Sequence, residues 1–257
     1  MLQDDTTLLP RRIPFRGAVN FRDLGGYRSR DGRRIRHGLV YRSDSLCQLD
    51  AEDHELLRSL GLRTICDFRV GGEKRLRPDR LPDGHGIDVR DLGLLPRGSK
   101  EMWQALNDRS IDGQGMVEEM HKHYRLFVLE HSDRFREMFD LMLTDGALPM
   151  LLHCASGKDR TGFAVSLVLS ALDVDWETIA ADYVVSDRYR RDLAQVGGEA
   201  MQSEAVRMLL KANPEYLEAS YRAIDENWDG LPRYFEDALG LGPVRLLELR
   251  ERLLEPA

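Results

Sequence analysis

The chain of 257 residues carries a formal net charge of -7 and is 42% hydrophobic. That acidity argues against general binding to nucleic acid or anionic membranes, which show as a basic surplus, so any affinity for an anion has to be local. The length suits one domain with a well-buried core, and no apolar run approaches a membrane span.

Five lysines, Lys74, Lys100, Lys122, Lys158 and Lys211, leave 32 of the 37 basic residues as arginine, an excess we assign to codon usage. The three cysteines, Cys47, Cys66 and Cys154, lack metal-ligand spacing and cannot all pair, which suggests a reducing compartment. The first dozen residues include Asp4 and Asp5 and no apolar signal core, so a cytoplasmic protein is expected.

In chain order, residues 1–14 read as an arm and 15–257 as one domain. Paired glycines in Asn20-Phe21-Arg22-Asp23-Leu24-Gly25-Gly26-Tyr27 mark a turn. A short strand is expected over 39–42, followed by a helix with Asp50 as N-cap and Gly61 at its end. The apolar, β-branched stretch 62–68 reads as a buried strand delivering Asp67, and 87–92 as another. Residues 93–115, rich in glycine, lack periodicity and read as a surface excursion or a flap.

Met116, Met120, Tyr124, Phe127 and Val128, then Phe135, Met138, Phe139 and Met142, recur at helical spacing and define two core-facing helices. After the segment 149–172, Asp175 caps a further helix to about residue 190, and 195–204 loosens around Gly197-Gly198. Asn213-Pro214 and Gly242-Pro243 open the last two helices. Strands followed by helices give an α/β fold, with a mostly parallel central sheet flanked by helices and a helical C-terminal third.

The chemistry concentrates in Leu151-Leu152-His153-Cys154-Ala155-Ser156-Gly157-Lys158-Asp159-Arg160-Thr161-Gly162. An apolar strand runs into a small-residue loop, and an apolar helical segment follows from Phe163. Such a loop directs backbone N–H groups and the positive end of a helix dipole at one point, where an anion belongs. A thiol in that position ionises more readily and becomes a nucleophile.

Cys154 is therefore expected to attack a phosphorus atom. Arg160 and the amides of Ala155, Ser156, Gly157, Lys158 and Asp159 would hold the phosphoryl oxygens, while Lys158 adds positive charge. No metal or cofactor is called for. Thr161 is placed to give its hydroxyl to the sulfur, and His153, facing away from the cup, reads as a hydrogen-bonding support of the loop. The leaving oxygen needs a proton, and Asp159 and Asp67 are both candidates for its donor.

The loop resembles the signature HCxxGKDR of the bacterial and fungal tyrosine phosphatases related to secreted enzymes of mycobacteria and Listeria. Residues 20–27, Tyr41-Arg42-Ser43, Asp67-Phe68-Arg69 and Asp182-Tyr183-Val184-Val185-Ser186 are similar to that family's further blocks, in the same order. The resemblance implies a cysteine-phosphatase fold and a cysteinyl-phosphate intermediate. The implied substrates are phosphotyrosyl proteins, phosphoserine or phosphothreonine in some members, and phosphoinositides in several, with inorganic phosphate as product.

The same likeness favours Asp159 as the acid, associates Lys158 with phosphoinositide recognition, and directs attention to 93–125 as a lid. A non-catalytic phosphate-binding module would not need a thiolate, and rhodanese-like sulfur transfer has less need of Lys158 and Arg160. A nucleotide P-loop is excluded, because Gly157-Lys158 is followed by Asp159 in place of Ser or Thr.

Overall fold

The computed structural model describes residues 12–190 and 203–256. Five strands, β1 (Arg22–Asp23), β2 (Val40–Ser43), β3 (Thr64–Asp67), β4 (Asp88–Asp91) and β5 (Met150–His153), form one sheet in the order β1-β2-β5-β3-β4. β1 is antiparallel to β2, and every other pairing is parallel. Successive side chains of a strand point to opposite faces. Val40, Cys66, Met150 and Leu152 accordingly enter the larger core, while Tyr41, Ile65 and Leu151 enter a smaller one with Phe15, Phe21 and Leu57. A sheet buried on both faces explains why β3 and β5 read as continuous apolar runs.

On the smaller-core face lies α1 (Ala51–Ser59), closed by a capping box between Asp50 and Asp53. The other face is covered by α4 (Gly113–Met142) and α5 (Asp159–Ala171), with α8 (Pro214–Trp228) packed on α4. Helix α5 is apolar almost all round and buried from Thr161 to Leu169, as befits a helix at the centre of the molecule. Short α2 (Gly71–Leu76) and α3 (Ser99–Asn107) border the sheet's C-terminal edge loops, and α6 (Trp176–Val184), α7 (Glu204–Leu210) and α9 (Pro243–Leu253) complete the helical shell.

One expectation changes. The stretch 93–115 contains helix α3, which buries Met102 and leaves Trp103 half exposed. So short an amphipathic segment, started at a left-handed Gly98, leaves little periodicity to detect. The two helices expected between 116 and 142 are both present as the two halves of α4, which meet at a kink at His131, whose φ of -131° and ψ of 17° are non-helical. The loosening expected over 195–204 lies, up to residue 202, outside the described residues; Ser203 then caps α7. No helix among the described residues is long and apolar enough to cross a membrane.

Candidate active site

The parallel pairing brings Ser43, Asp67 and His153 level with one another across β2, β3 and β5. The segments that leave these strands therefore emerge side by side, where open α/β sheets gather their functional groups. Cys154 lies at the mouth of β5, buried to 1% exposure, and α5 starts at Asp159. The five residues from Ala155 to Asp159 make the turn between them. Gly157 adopts φ +68°, and a Cβ there would sit 2.5 Å from the Ser43 carbonyl oxygen, so no other residue fits.

A polar network grips the loop from behind. Arg42 Nη2 donates to the Gly157 carbonyl at 2.7 Å, Asn20 Nδ2 donates to the Ser156 and Gly157 carbonyls at 3.2 Å each, and the Ser45 amide donates to the Ala155 carbonyl at 3.2 Å. Arg22 and Arg42, both fully buried, share the Asp182 carboxylate, which also accepts from the Tyr27 hydroxyl at 3.0 Å. Burial together with the neighbouring Arg42 pulls the Arg22 guanidinium down to about 10. Although burial opposes its ionisation, Asp182 is held below the usual carboxylate range by the two guanidiniums. Asp44, also buried, accepts from the Asn20 amide at 3.1 Å and the Ser43 hydroxyl at 3.2 Å, so two carboxylates stand with the two guanidiniums behind the loop.

At the mouth, Arg160 forms a bidentate pair with Glu73, Nη1 to Oε2 at 2.6 Å and Nη2 to Oε1 at 2.7 Å, and Nη1 also donates to the Phe68 carbonyl at 3.1 Å. Burial works against the Arg160 charge, but Glu73 and the nearby Cys154 outweigh it and raise its pKa. The Asp159 carboxylate accepts from the Tyr124 hydroxyl at 2.9 Å, and Tyr124 in turn meets the Tyr183 hydroxyl at 2.6 Å. Thr161 Oγ1 is buried and has no hydrogen-bond partner among the described residues. The Lys158 ammonium turns toward the end of α7, donating to the carbonyls of Leu209 and, at 3.2 Å, Lys211, and it approaches Asp159 Oδ1 at 3.2 Å.

Asp67 stands apart from this mouth. Arg69 binds its carboxylate through Nε at 2.9 Å and Nη2 at 2.8 Å, and Nη2 also reaches Asp79. Burial pushes the Asp67 pKa up, yet the Arg69 bonds and the His153 ring bring it below the usual carboxylate value. His153 does not hydrogen-bond the loop through its ring: Nε2 lies 3.7 Å from Asp67 and 3.6 Å from Asp79, and both ring nitrogens lack hydrogen bonds among the described residues. Its backbone carbonyl accepts from the Phe68 amide at 2.9 Å instead. Asp67, Asp79 and His153 have a grouping a cation could use, and the Arg69 guanidinium already binds both carboxylates.

The pattern of the tyrosine phosphatase family matches residues 13–255. The chain belongs to this family. It is 35% identical over 245 residues, 91% of its length and 86% of the relative's, to a Cupriavidus necator protein provisionally named a tyrosine-protein phosphatase. It is 30% identical over 285 residues, 95% of its length and 99% of the relative's, to the triple specificity protein phosphatase PtpB of Mycobacterium tuberculosis. Among solved structures it is similar to the catalytic core of the PP-IP phosphatase SIW14 from S. cerevisiae. That match has 17% identity and a TM-score of 0.40, covering 75% of this chain and 93% of that one.

As a family member, the chain is a phosphoric monoester hydrolase with a cysteine-phosphatase-like fold. The structure places Cys154, Asp159, Arg160 and Thr161 around one loop, points Lys158 toward α7, and sets Asp67 in an ion-pair network with Arg69. Sequence reasoning missed Glu73, Tyr124 and the clamp formed by Asn20, Arg42 and Asp182. The last three lie inside blocks that resembled the family, but Glu73 looks like any glutamate in a first helical turn and Tyr124 like any core position.

Proposed function

We propose that the chain hydrolyses phosphate monoesters of phosphotyrosyl proteins through a cysteinyl-phosphate on Cys154. The Sγ thiolate attacks phosphorus while the P–O bond to the leaving oxygen breaks, and Asp159 gives that oxygen its proton. Water then attacks phosphorus, Asp159 takes up a proton, and the S–P bond breaks to restore the thiolate and release inorganic phosphate. Arg160 and the amides of Ala155, Ser156, Gly157, Lys158 and Asp159 hold the equatorial oxygens, and the Thr161 hydroxyl, without a partner among the described residues, is left to serve the departing sulfur.

The observation that carries this reading is the position of Cys154 at the base of a clamped loop. An arginine fork fixed by Glu73 stands beside it, and Arg42 and Asn20 hold the loop's carbonyls from behind. Asp159 is preferred to Asp67 because its Oδ2 has no partner among the described residues, whereas Arg69 engages both oxygens of Asp67. The PtpB relative, named for triple specificity, supports a range beyond phosphotyrosine. A phosphoinositide substrate is the second reading, and it requires Lys158 to leave the Leu209 and Lys211 carbonyls. Its free Cys47, Cys66 and Cys154 fit a reducing compartment, and we read the enzyme as cytoplasmic.

The test is hydrolysis of an aryl phosphate in the presence of a chelator. Cys154→Ser should lose on the order of 10⁴-fold or more in kcat while vanadate competes with substrate in the wild type. Retained turnover in Cys154→Ser, or loss of wild-type activity to the chelator, rejects the covalent route.

A further inference from the structure

A guanidinium carries five N–H bonds in one plane. In Arg160 the end-on pair, one N–H from each Nη, is taken by Glu73 at 2.6 and 2.7 Å, and the outer N–H of Nη1 goes to the Phe68 carbonyl at 3.1 Å. What is left is the side-on edge, the Nε–H and the second Nη2–H, for which no partner is present among the described residues. These two bonds run parallel and match two oxygens of a tetrahedral phosphoryl group.

We propose that Glu73 is a positioning residue for the phosphatase reaction: by occupying the end-on fork of Arg160 it turns the side-on edge toward the phosphoryl oxygens. The proposal rests on the reading that Arg160 grips the transferring phosphoryl group. Glu73 is suited to the task because it is itself held. It is the third residue of α2, and its Oε2 accepts the Val70 amide at 2.9 Å, closing the first turn of that helix. Arg160 outweighs burial and keeps the Glu73 pKa below the ordinary glutamate value, so the pair is charged at neutral pH. The block Asp67-Phe68-Arg69 enters the same construction, since Phe68 supplies the third acceptor and the Asp67–Arg69 pair fixes the backbone carrying it.

A merely helix-capping Glu73 would give the same contacts, so the experiment separates the two roles. Glu73→Gln keeps the size and one acceptor oxygen but replaces the other with a donor facing Nη. Its remaining oxygen can still accept the Val70 amide, so a role in helix capping alone would survive the change. With an aryl phosphate, Glu73→Gln should lose about 10- to 100-fold in kcat/KM, mostly in kcat. Inhibition by inorganic phosphate should weaken by a similar factor. In an Arg160→Ala background, adding Glu73→Gln should change the residual rate by less than about twofold.

Two results overturn the proposal: a Glu73→Gln enzyme within threefold of wild type, or the same Glu73→Gln loss without the arginine. Should Glu73→Gln not fold, Glu73→Asp decides, since full kcat/KM from that shortened carboxylate equally overturns it. If Arg160→Ala alone stays within tenfold of wild type, it is the grip of Arg160 on phosphate that fails. If Arg160→Ala is inactive and Glu73→Gln is not impaired, only the role of Glu73 fails.

Discussion

Behind the signature loop, Arg22, Arg42, Tyr27 and Asp182 are sealed from solvent, and they bond one another, Asn20, Ser186 and the Gly157 carbonyl. In front of it, Arg160 and Glu73 are partly exposed, and Asp159 keeps one carboxylate oxygen without a partner among the described residues. The rear is a closed system in which only the Nε groups of Arg22 and Arg42 lack a partner among the described residues. The front is incomplete until a phosphoryl group supplies acceptors for the remaining donors. Substitutions behind the loop should therefore appear as lost stability, and those in front as lost rate on a stable fold.

The largest effect on this contrast should come from Asp182→Asn. Leaving two buried guanidiniums with no carboxylate should cost about 3–5 kcal/mol in denaturant unfolding and lower the thermal midpoint by roughly 10 °C. A protein of unchanged stability would mean that the rear network is not what holds the loop. Asp159→Asn should leave the unfolding midpoint nearly unchanged and slow alkyl phosphates by about 10²–10³-fold, but activated aryl esters by less than tenfold. Equal losses on both substrate classes would remove Asp159 from proton transfer.

Asp67→Asn is the sharpest control, because the Asp67 carboxylate bonds Arg69 and not Cys154, Asp159 or Arg160, reaching the mouth only through the backbone of Phe68. It should cost about 1.5–3 kcal/mol through Arg69 and leave the dependence on leaving group as in wild type. Its pH signature follows from the lowered folded-state pKa. The stabilisation is complete above the unfolded value near 4 and is lost as pH falls through the lower folded value. Asp67→Asn should accordingly flatten the loss of stability below about pH 4, measured by unfolding across that range.

Much of the fold was legible because the elements obey local rules. Asp50, Asp175 and Asn213 cap the helices they were expected to cap, and 62–68 and 87–92 contain β3 and β4. Short α3 was lost because nine residues give fewer than three turns in which a period can repeat. Codon usage accounted for the arginine excess as a composition, yet Arg22, Arg42 and Arg69 are buried and tie strand ends and loop together. A count cannot distinguish a solvated arginine from one that bridges two segments.

By itself the chain's sequence determined the nucleophile and its loop, since a cysteine, small residues, an arginine and a helix start are contiguous, and their geometry follows from local backbone preferences. Only the tertiary structure decided which distant residues complete them. Asn20, Arg42 and Asp182 behind, Glu73 beside Arg160 and Tyr124 against Asp159 come from five separate segments. They meet because parallel strands of matched register end at the same level and because helix α4 crosses α5. The same packing separated the two aspartates, giving Asp67 a guanidinium on both oxygens and Asp159 one open oxygen, a difference of partners that neither residue's sequence neighbours encode.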